Sequence, residues 1–254
     1  MRKNLTKEKI MKGGVAYGVF MTGYGPTTVE MLGHIGFDFV ILDAEHSPID
    51  IESCENMVRA AESANITPLI RVAMNIRQNI LRHLDTGAMG AQIPMVENGE
   101  DARAVVESIK YPPEGKRGLA GVRAADYGIP KSLGEYVKEA NRELMTIVQI
   151  ETVKAAENIK EIIAVPGIDV FFIGPNDLSS DMGFPGQQNH PEVQKMITNL
   201  VNAIRAAGKA AGTTAYDYEL LRKNKERGFQ YICYGLGPML VKAGKEYLQA
   251  ARGS

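Results

Sequence analysis

Eight short apolar runs recur along the 254-residue chain, and each is nearly continuous in its apolar character. Parallel strands that are covered on both faces have this character, because neither side of the sheet faces water. We therefore expect a buried parallel sheet. The runs are VAYGVF (15–20), FDFVILD (37–43), TPLIRV (67–72), AQIPMV (91–96), MTIVQIE (145–151), IDVFFIG (168–174), KAAGTT (209–214) and FQYICYG (229–235).

Stretches with helical periodicity lie between these runs, at 51–64, 75–88, 100–110, 152–165 and 190–208. Glycines that suit helix ends occur at 87, 167, 208 and 228. Strand followed by helix, repeated over about 250 residues, predicts a (β/α)₈ TIM barrel that forms one domain over residues 1–254. The alternative is a doubly wound open sheet. That fold favours a GxGxxG fingerprint after the first strand, and GYGP at 23–26 lacks its third glycine.

The charge balance points to a small-molecule ligand. The formal net charge is −1, from 29 basic and 30 acidic residues, so nucleic acid and anionic membranes are not favoured partners. The chain shows no apolar run of about 18 residues that could cross a bilayer and no signal-peptide pattern at its start. Cys54 and Cys233 do not have metal-type or redox-type spacing. We expect a protein of the cytoplasm, with both thiols reduced.

Polar side chains follow several of the apolar runs, at the point where each run ends. The carboxyl ends of the strands carry the active site in a TIM barrel, so these side chains are expected to converge. The last strand positions and those just beyond them are Phe20, Asp43, Glu45, His46, Arg71, Gln149, Glu151, Asn176 and Asp177.

Two of these residues, Glu151 and Asp177, follow neighbouring predicted strands and could hold one hard divalent cation through oxygen ligands. They could equally act as helix-terminal acids. His46 suits general acid–base chemistry but could be structural. Arg71 ends a buried strand, where its planar cation must either pair with an acid or receive the oxygens of a ligand.

Several blocks of this sequence resemble the metal-dependent pyruvate aldolases of the HpcH/HpaI family, from about residue 15 onward. They are FDFVILDAEHSP, GAQIPMVENGEDARAVVESIKYPPEGKRG, VQIET and GIDVFFIGPNDLSSDMG followed by HPEVQ. The resemblance implies a class II aldolase that splits a 4-hydroxy-2-oxo acid into pyruvate and an aldehyde, using Mg²⁺, Mn²⁺ or Co²⁺. It also implies a homohexamer in which the C-terminal helix is exchanged between subunits.

The resemblance assigns roles to individual positions. Glu151 and Asp177 match the metal ligands, and His46 matches the base. Asp85 matches the acidic partner of that base, and Arg71 matches a residue beside the pyruvyl oxygens. The positions expected to contact the substrate are Gln149, Gly174, Pro175 and Asn176. A metal-dependent aldolase does not need a lysine that forms an imine with its substrate. Consistent with this, no predicted strand ends in a lone lysine.

The chain departs from the family pattern around the expected pocket rim. Ala44 and Asn176 stand where smaller residues are common in the family, and Phe20 stands where some members have Trp. Met74 and Ile76 replace an aromatic residue and an acid. Two basic residues of the irregular segment 111–131, Lys116 and Arg117, could contact a distal anion of the ligand or could be solvated. Arg123 in the same segment could meet a distal carboxylate of the substrate or the neighbouring subunit.

Other functions remain open on sequence grounds. The same fold and enolate chemistry could serve a decarboxylase, a phosphonomutase-like enzyme or a lyase of acyl-CoA esters. A non-catalytic scaffold barrel is a further alternative. The intact set of Glu151, Asp177, His46, Arg71 and Asp85 argues against the scaffold, because a decayed site tends to lose at least one such group.

Overall fold

Eight parallel strands form a closed barrel in the computed structural model, which describes residues 1–253. β1 pairs with both β2 and β8, so the sheet has no free edge. This closure confirms the predicted (β/α)₈ barrel over the open sheet, and every predicted run forms a strand. The strands are β1 (Ala16–Met21), β2 (Phe39–Asp43), β3 (Thr67–Arg71), β4 (Gly90–Ile93), β5 (Met145–Ile150), β6 (Val170–Ile173), β7 (Ala210–Thr214) and β8 (Tyr231–Gly235).

Helices follow the strands and surround the barrel. The five predicted helical segments are helical, although 152–165 is divided at Asn158 into two short helices. The irregular segment 111–131 contains one 3₁₀ stretch, Arg123–Gly128. The helices are α1 (Leu5–Met11), α2 (Pro26–Ile35), α3 (Ile51–Ser63), α4 (Arg77–Asp85), α5 (Gly99–Ile109), α6 (Leu133–Glu143), α7 (Val153–Glu157), α8 (Ile159–Ile163), α9 (Pro175–Asp181), α10 (Pro191–Ala206), α11 (Tyr218–Arg227) and α12 (Leu236–Arg252).

The strands are apolar throughout because successive side chains alternate between two buried layers. In β2, Phe39 and Ile41 join the cluster inside the barrel, whereas Val40 and Leu42 join the layer between sheet and helices. The Phe39 ring stacks on Tyr231 with a centroid distance of 4.1 Å. A Cβ at Gly18 would lie 2.1 Å from the Phe39 ring, so only glycine fits there.

The first helix, α1, closes the amino-terminal end of the barrel. The side chain of Asn4 caps it by accepting a hydrogen bond from the Lys7 N–H. The Thr6 hydroxyl donates to the Asp38 carbonyl, and Ile10 is buried in the cluster that fills the barrel interior. The barrel floor is therefore sealed by the chain's own first turns.

The last helix, α12, has 17 residues and none of them is buried. Leu240, Val241 and Tyr247 are 58%, 56% and 73% exposed. Within residues 1–253, no helix combines the length and the apolar character needed to span a membrane.

Candidate active site

The inward-facing positions of the strands change from apolar to polar at the carboxyl end of the barrel. In β2 the inward residues Phe39 and Ile41 are followed by Asp43, and in β5 Ile147 is followed by Gln149. The strand period of two residues therefore directs the polar groups into the barrel mouth. They line a cavity of about 250 Å³ together with Phe20, Thr22, Arg71, Glu151, Phe172, Gly174, Pro175, Asn176, Asp177, Thr214, Tyr216, Gly235, Gly237 and Pro238.

Arg71 is held in one orientation by two acids. Asp43 and Arg71 are register partners on β2 and β3. Arg71 Nε donates to Asp43 Oδ1 at 2.8 Å and Nη2 donates to Oδ2 at 2.6 Å. A second acid, Glu45, lies 3.2 Å from Arg71 Nε. The guanidinium also lies 4.7 Å from the centre of the Phe20 ring, a cation–π contact that fixes its plane.

Glu151 is buried, and both of its oxygens accept hydrogen bonds. The Met95 N–H donates to Oε1 at 2.8 Å, and Gln149 Nε2 donates to Oε2 at 2.6 Å. Burial raises the pKa of Glu151 to about 7; the Met95 N–H opposes this rise, and the negative charges of Asp177 and Glu45 add to it. The carboxylate is therefore oriented, but its negative charge is poorly neutralised by the protein alone.

A buried chain of amides supports Glu151 from below. Gln92 Nε2 donates to Gln149 Oε1 at 2.5 Å, and the Tyr231 hydroxyl donates to Gln92 Oε1 at 3.4 Å. Gln92 and Tyr231 are 0% exposed and Gln149 is 1% exposed. Gln149 therefore has a fixed amide orientation, because Gln92 occupies its oxygen and leaves its N–H groups for Glu151.

Glu151 and Asp177 suit a hard divalent cation. Glu151 Oε2 and Asp177 Oδ2 lie 3.0 and 4.0 Å from the position that a Cβ on Gly174 would occupy, so both carboxylates lie beside this glycine and a side chain there would crowd Glu151. Oxygen ligands of this kind favour magnesium or manganese. Residues 1–253 contain no group of three or more His, Cys, Asp or Glu arranged to hold a metal. A cation here would thus take most of its ligands from water and substrate.

His46 lies on the outer side of the two carboxylates. It lines a second cavity of about 430 Å³ with Glu45, Glu151 and Asp177. The His46 side chain is 62% exposed, and its Nε2 lies 3.9 Å from Glu45 Oε2. Burial raises the pKa of Glu45 to about 7, although the positive charge of Arg71 opposes the rise. The imidazole is therefore accessible to a ligand at this rim.

A family model described as HpcH/HpaI aldolase/citrate lyase matches residues 16–236. The chain belongs to this family. It is similar to the 2-dehydro-3,6-dideoxy-6-sulfogluconate aldolase of Pseudomonas putida, with 38% identity over 239 residues, which cover 93% of this chain and 92% of the relative. It is also similar to the 4-hydroxy-2-oxo-heptane-1,7-dioate aldolase of Salmonella dublin, with 36% identity over 254 residues. This alignment covers 99% of this chain and 95% of the relative.

A solved HpcH/HpaI family structure has nearly the same fold. The protein, from Burkholderia cenocepacia J2315, superposes with a TM-score of 0.93 at 31% sequence identity. The alignment covers 98% of this chain and 100% of that one. The HpcH/HpaI barrel thus extends over almost the whole of this chain.

One predicted residue of this HpcH/HpaI site lies apart from the others. Asp85 ends α4, and helices of such a barrel run back toward the amino ends of the strands. Its carboxylate accepts a 2.7 Å hydrogen bond from Arg117 Nη2, and no hydrogen bond or ion pair joins it to His46 within residues 1–253. The pairing of His46 with Asp85 stays a prediction, and within one chain the acid beside His46 is Glu45.

The three basic residues of segment 111–131 bind acids of their own chain. Lys116 pairs with Glu107, and Arg123 pairs with Glu62. Arg117, whose side chain is fully buried, pairs with Asp85 and lies 4.8 Å from the centre of the Tyr111 ring. Arg117 is therefore neither solvated nor free to meet a ligand.

Sequence reasoning missed several groups that line or support this cavity. Gln92 and Thr214 occupy inward strand positions, so strand periodicity could have identified both. Tyr216, two residues after the end of β7, also lines the cavity. The Met95 N–H is a backbone donor on a residue with φ of 55°, and no side-chain pattern indicates it.

Proposed function

We propose that this protein is a divalent-metal-dependent aldolase, a carbon–carbon lyase that reversibly splits a 4-hydroxy-2-oxo acid into pyruvate and an aldehyde. The observation that carries the proposal is the placement of Glu151 and Asp177 beside Gly174, within the same cavity as the fixed Arg71. The relatives named as aldolases support this chemistry over a decarboxylase or an acyl-CoA lyase.

Glu151 and Asp177 would hold the cation, which we propose to be Mg²⁺, Mn²⁺ or Co²⁺. When bound, the cation supplies Lewis-acid polarisation of the 2-oxo group. Gln149 contributes by keeping Glu151 oriented through its 2.6 Å hydrogen bond. Because both oxygens of Glu151 are already held by donors of the chain, the ligand geometry is set before a cation arrives.

Arg71 stabilises the charge that develops on the pyruvyl half. When the bond between C3 and C4 breaks, its electron pair moves toward the 2-oxo oxygen, which gains negative charge. Arg71 faces this cavity with its guanidinium already fixed by Asp43, so little reorganisation accompanies the reaction. Protonation at C3 then gives pyruvate.

His46 accepts the proton of the C4 hydroxyl as the aldehyde forms. Its ring lies at the rim beside the carboxylates, where a C4 hydroxyl would project from a pyruvyl group bound in the cavity. Glu45 is the acid beside it in the same chain. We propose that Asp85 pairs with His46 only where an assembled oligomer brings Asp85 of a second copy to the rim.

The remaining predicted residues would seat the substrate carboxylate. Gly174 provides space, Pro175 fixes the turn into α9, and the backbone N–H of Asn176 lies at the start of that helix. Such N–H groups have no partner within the helix and favour an anion.

The test is exchange of the pyruvate methyl protons in deuterated buffer, followed by NMR. With Mg²⁺ or Mn²⁺ we expect exchange that a chelator stops. Glu151→Gln and Asp177→Asn should abolish it, because each removes a charged ligand of the cation. Glu157→Gln, an equivalent change at an exposed position of α7, is the matched control and should keep wild-type exchange. If folded protein shows no exchange with any cation, the pyruvate assignment is refuted.

We also propose that the protein forms the homohexamer with exchanged C-terminal helices that the family resemblance implies. In support, α12 leaves apolar side chains exposed, and a cavity of about 400 Å³ lies between this helix and the barrel wall. Exposed apolar surface of this kind marks interaction sites. Analytical ultracentrifugation would show a hexamer, and a monomer at micromolar concentration would refute the proposal.

A further inference from the structure

The cavity that would receive the aldehyde half is poor in positive charge. Among the described residues that line it, Arg71 is the one cation, whereas Asp43, Glu151 and Asp177 are acids. The adjoining cavity beside His46 contains no lysine or arginine in its described lining and adds two further acids, Glu45 and Asp181. A bound divalent cation would offset two of these negative charges and no more.

Arg71 is not available to a distal anion. Two of its nitrogens donate to Asp43, and Glu45 lies 3.2 Å from Nε. Its side chain is 12% exposed, so it cannot swing out without leaving Asp43 buried and unpaired. In the proposed reaction the remaining N–H groups of the guanidinium donate to the pyruvyl oxygens.

The two arginines of segment 111–131, which the sequence offered as partners for such an anion, are also engaged. Arg117 and Arg123 pair with acids of their own chain. Within one chain, a carboxylate or sulfonate at the far end of an aldehyde would therefore lose its hydration shell without gaining a basic partner, and it would face several carboxylates.

Neutral hydrogen-bonding groups form the rest of the rim. Asn176 Nδ2 and Thr214 Oγ1 lie 3.5 and 3.1 Å from the Tyr216 hydroxyl. Gln188 donates from its side chain to Asn176 Oδ1. Thr22 lines the same cavity. We define Thr22, Asn176, Thr214 and Tyr216 as the neutral rim.

The size of the cavity limits the ligand further. About 250 Å³ is less than the roughly 300–1,000 Å³ of typical drug-sized ligand sites, so this cavity alone suits pyruvate together with a short aldehyde. Gly235 and Gly237 leave room beside the neutral rim because they carry no side chains.

We propose that the aldehyde half of the substrate is short, uncharged and hydroxylated, and that the neutral rim binds its hydroxyl groups. This inference rests on the proposed aldolase function. In the addition direction, C3 of pyruvate loses a proton and bonds to the aldehyde carbon, and the aldehyde oxygen gains a proton. The step is balanced without an oxidant or reductant.

The experiment compares kcat/KM of the full-length, metal-loaded protein for two matched pairs of aldehydes with pyruvate. Glyceraldehyde against propanal tests the hydroxyl groups, and methyl 4-oxobutanoate against 4-oxobutanoate tests the distal charge. Each concentration is corrected for aldehyde hydration by NMR. We expect glyceraldehyde to exceed propanal, and the ester to exceed the acid, each by about tenfold, as one well-formed hydrogen bond or one unpaired charge would give.

Substitutions in the rim sharpen the test. Tyr216→Phe should lower the ratio of glyceraldehyde to propanal about tenfold, the effect of one hydrogen bond. Tyr218→Phe is the control, since this exposed tyrosine lies outside the cavity and should keep the wild-type ratio. Thr22→Arg should raise the ratio of 4-oxobutanoate to its ester. Ratios within one variant do not depend on the fraction of folded protein.

The outcomes separate the inference from the proposed function. If the protein exchanges pyruvate protons but prefers 4-oxobutanoate to its ester, a cation reaches the pocket and the inference is refuted. Equal rates for glyceraldehyde and propanal would refute the role of the neutral rim in the same way. If no aldehyde reacts and pyruvate protons do not exchange, the aldolase proposal itself fails.

Discussion

Replacing Gln92 with Met should weaken both the fold and the cation site without touching the ligand. Gln92 is fully buried beneath the cavity and does not line it. Met has a similar volume, so the change removes hydrogen bonds and leaves little empty space. The two groups that lose a partner are Gln149 Oε1 and the Tyr231 hydroxyl.

The magnitude follows from those two contacts. Gln149 Oε1 loses the donor that Gln92 provides, and an unsatisfied buried acceptor costs about 1–3 kcal/mol. The Tyr231 bond is long at 3.4 Å and contributes little. We expect the free energy of unfolding to fall by about 2 kcal/mol, which lowers Tm by about 5 °C for a chain of this length.

The Gln92→Met substitution should also weaken cation binding. Without Gln92, the Gln149 amide can rotate, so Glu151 Oε2 loses its oriented donor. Changes behind a metal ligand typically weaken metal binding about 10–100-fold, and we expect Mn²⁺ affinity to fall by at least tenfold. Urea unfolding in chelator gives the stability, and calorimetric Mn²⁺ titration gives the affinity. Gln187→Met at an exposed position is the control. A Gln92→Met protein with wild-type stability and Mn²⁺ affinity would refute the supporting role of the amide chain.

Three further predictions concern charge and assembly. Burial raises the pKa of Glu45 and Glu151 from 4.5 to about 7, so between these pH values the folded protein keeps protons that the unfolded chain releases. The free energy of unfolding, measured by urea titration in chelator, should therefore fall as pH rises from 4.5 to 7. Saturating Mn²⁺ should remove that fall. Asp85→Asn should lower the free energy of unfolding by about 3–5 kcal/mol, since it leaves the Arg117 charge buried without a partner. Adding Arg117→Met should restore most of that stability in a double-mutant cycle. Leu240→Asp, which places a charge on the apolar face of α12, should lower the sedimenting mass, and an unchanged mass would contradict the proposed interface.

The sequence was most informative where strand periodicity and strand-end position act together. The run FDFVILD ends in Asp43 with the same inward phase as Phe39, and TPLIRV places Arg71 opposite it, so their proximity follows from the barrel alone. Glu151 and Asp177 follow the ends of β5 and β6 and line one cavity, as their positions after neighbouring strands led us to expect. Each of these positions depends on local pattern and on a rule that all barrels share.

What could not be predicted depends on contacts between distant segments. The Met95 N–H reaches Glu151 because its own loop adopts a left-handed φ, and no residue type at position 95 indicates this. The engagement of Arg117 and Arg123 by acids likewise depends on tertiary packing. The position of Asp85 was within reach of sequence reasoning, since the end of a barrel helix lies opposite the strand ends that carry the site.

The floor that α1 builds under the barrel leaves the interior with one open end. Ile10 belongs to the same buried cluster as Tyr231, and Tyr231, Gln92 and Gln149 are at most 1% exposed, so this column is shielded from solvent. Electrostatic interactions above a dry column are stronger than above a wet one. The first helix of the chain, at the far end from any chemistry, thereby helps to set the proton affinity of Glu151.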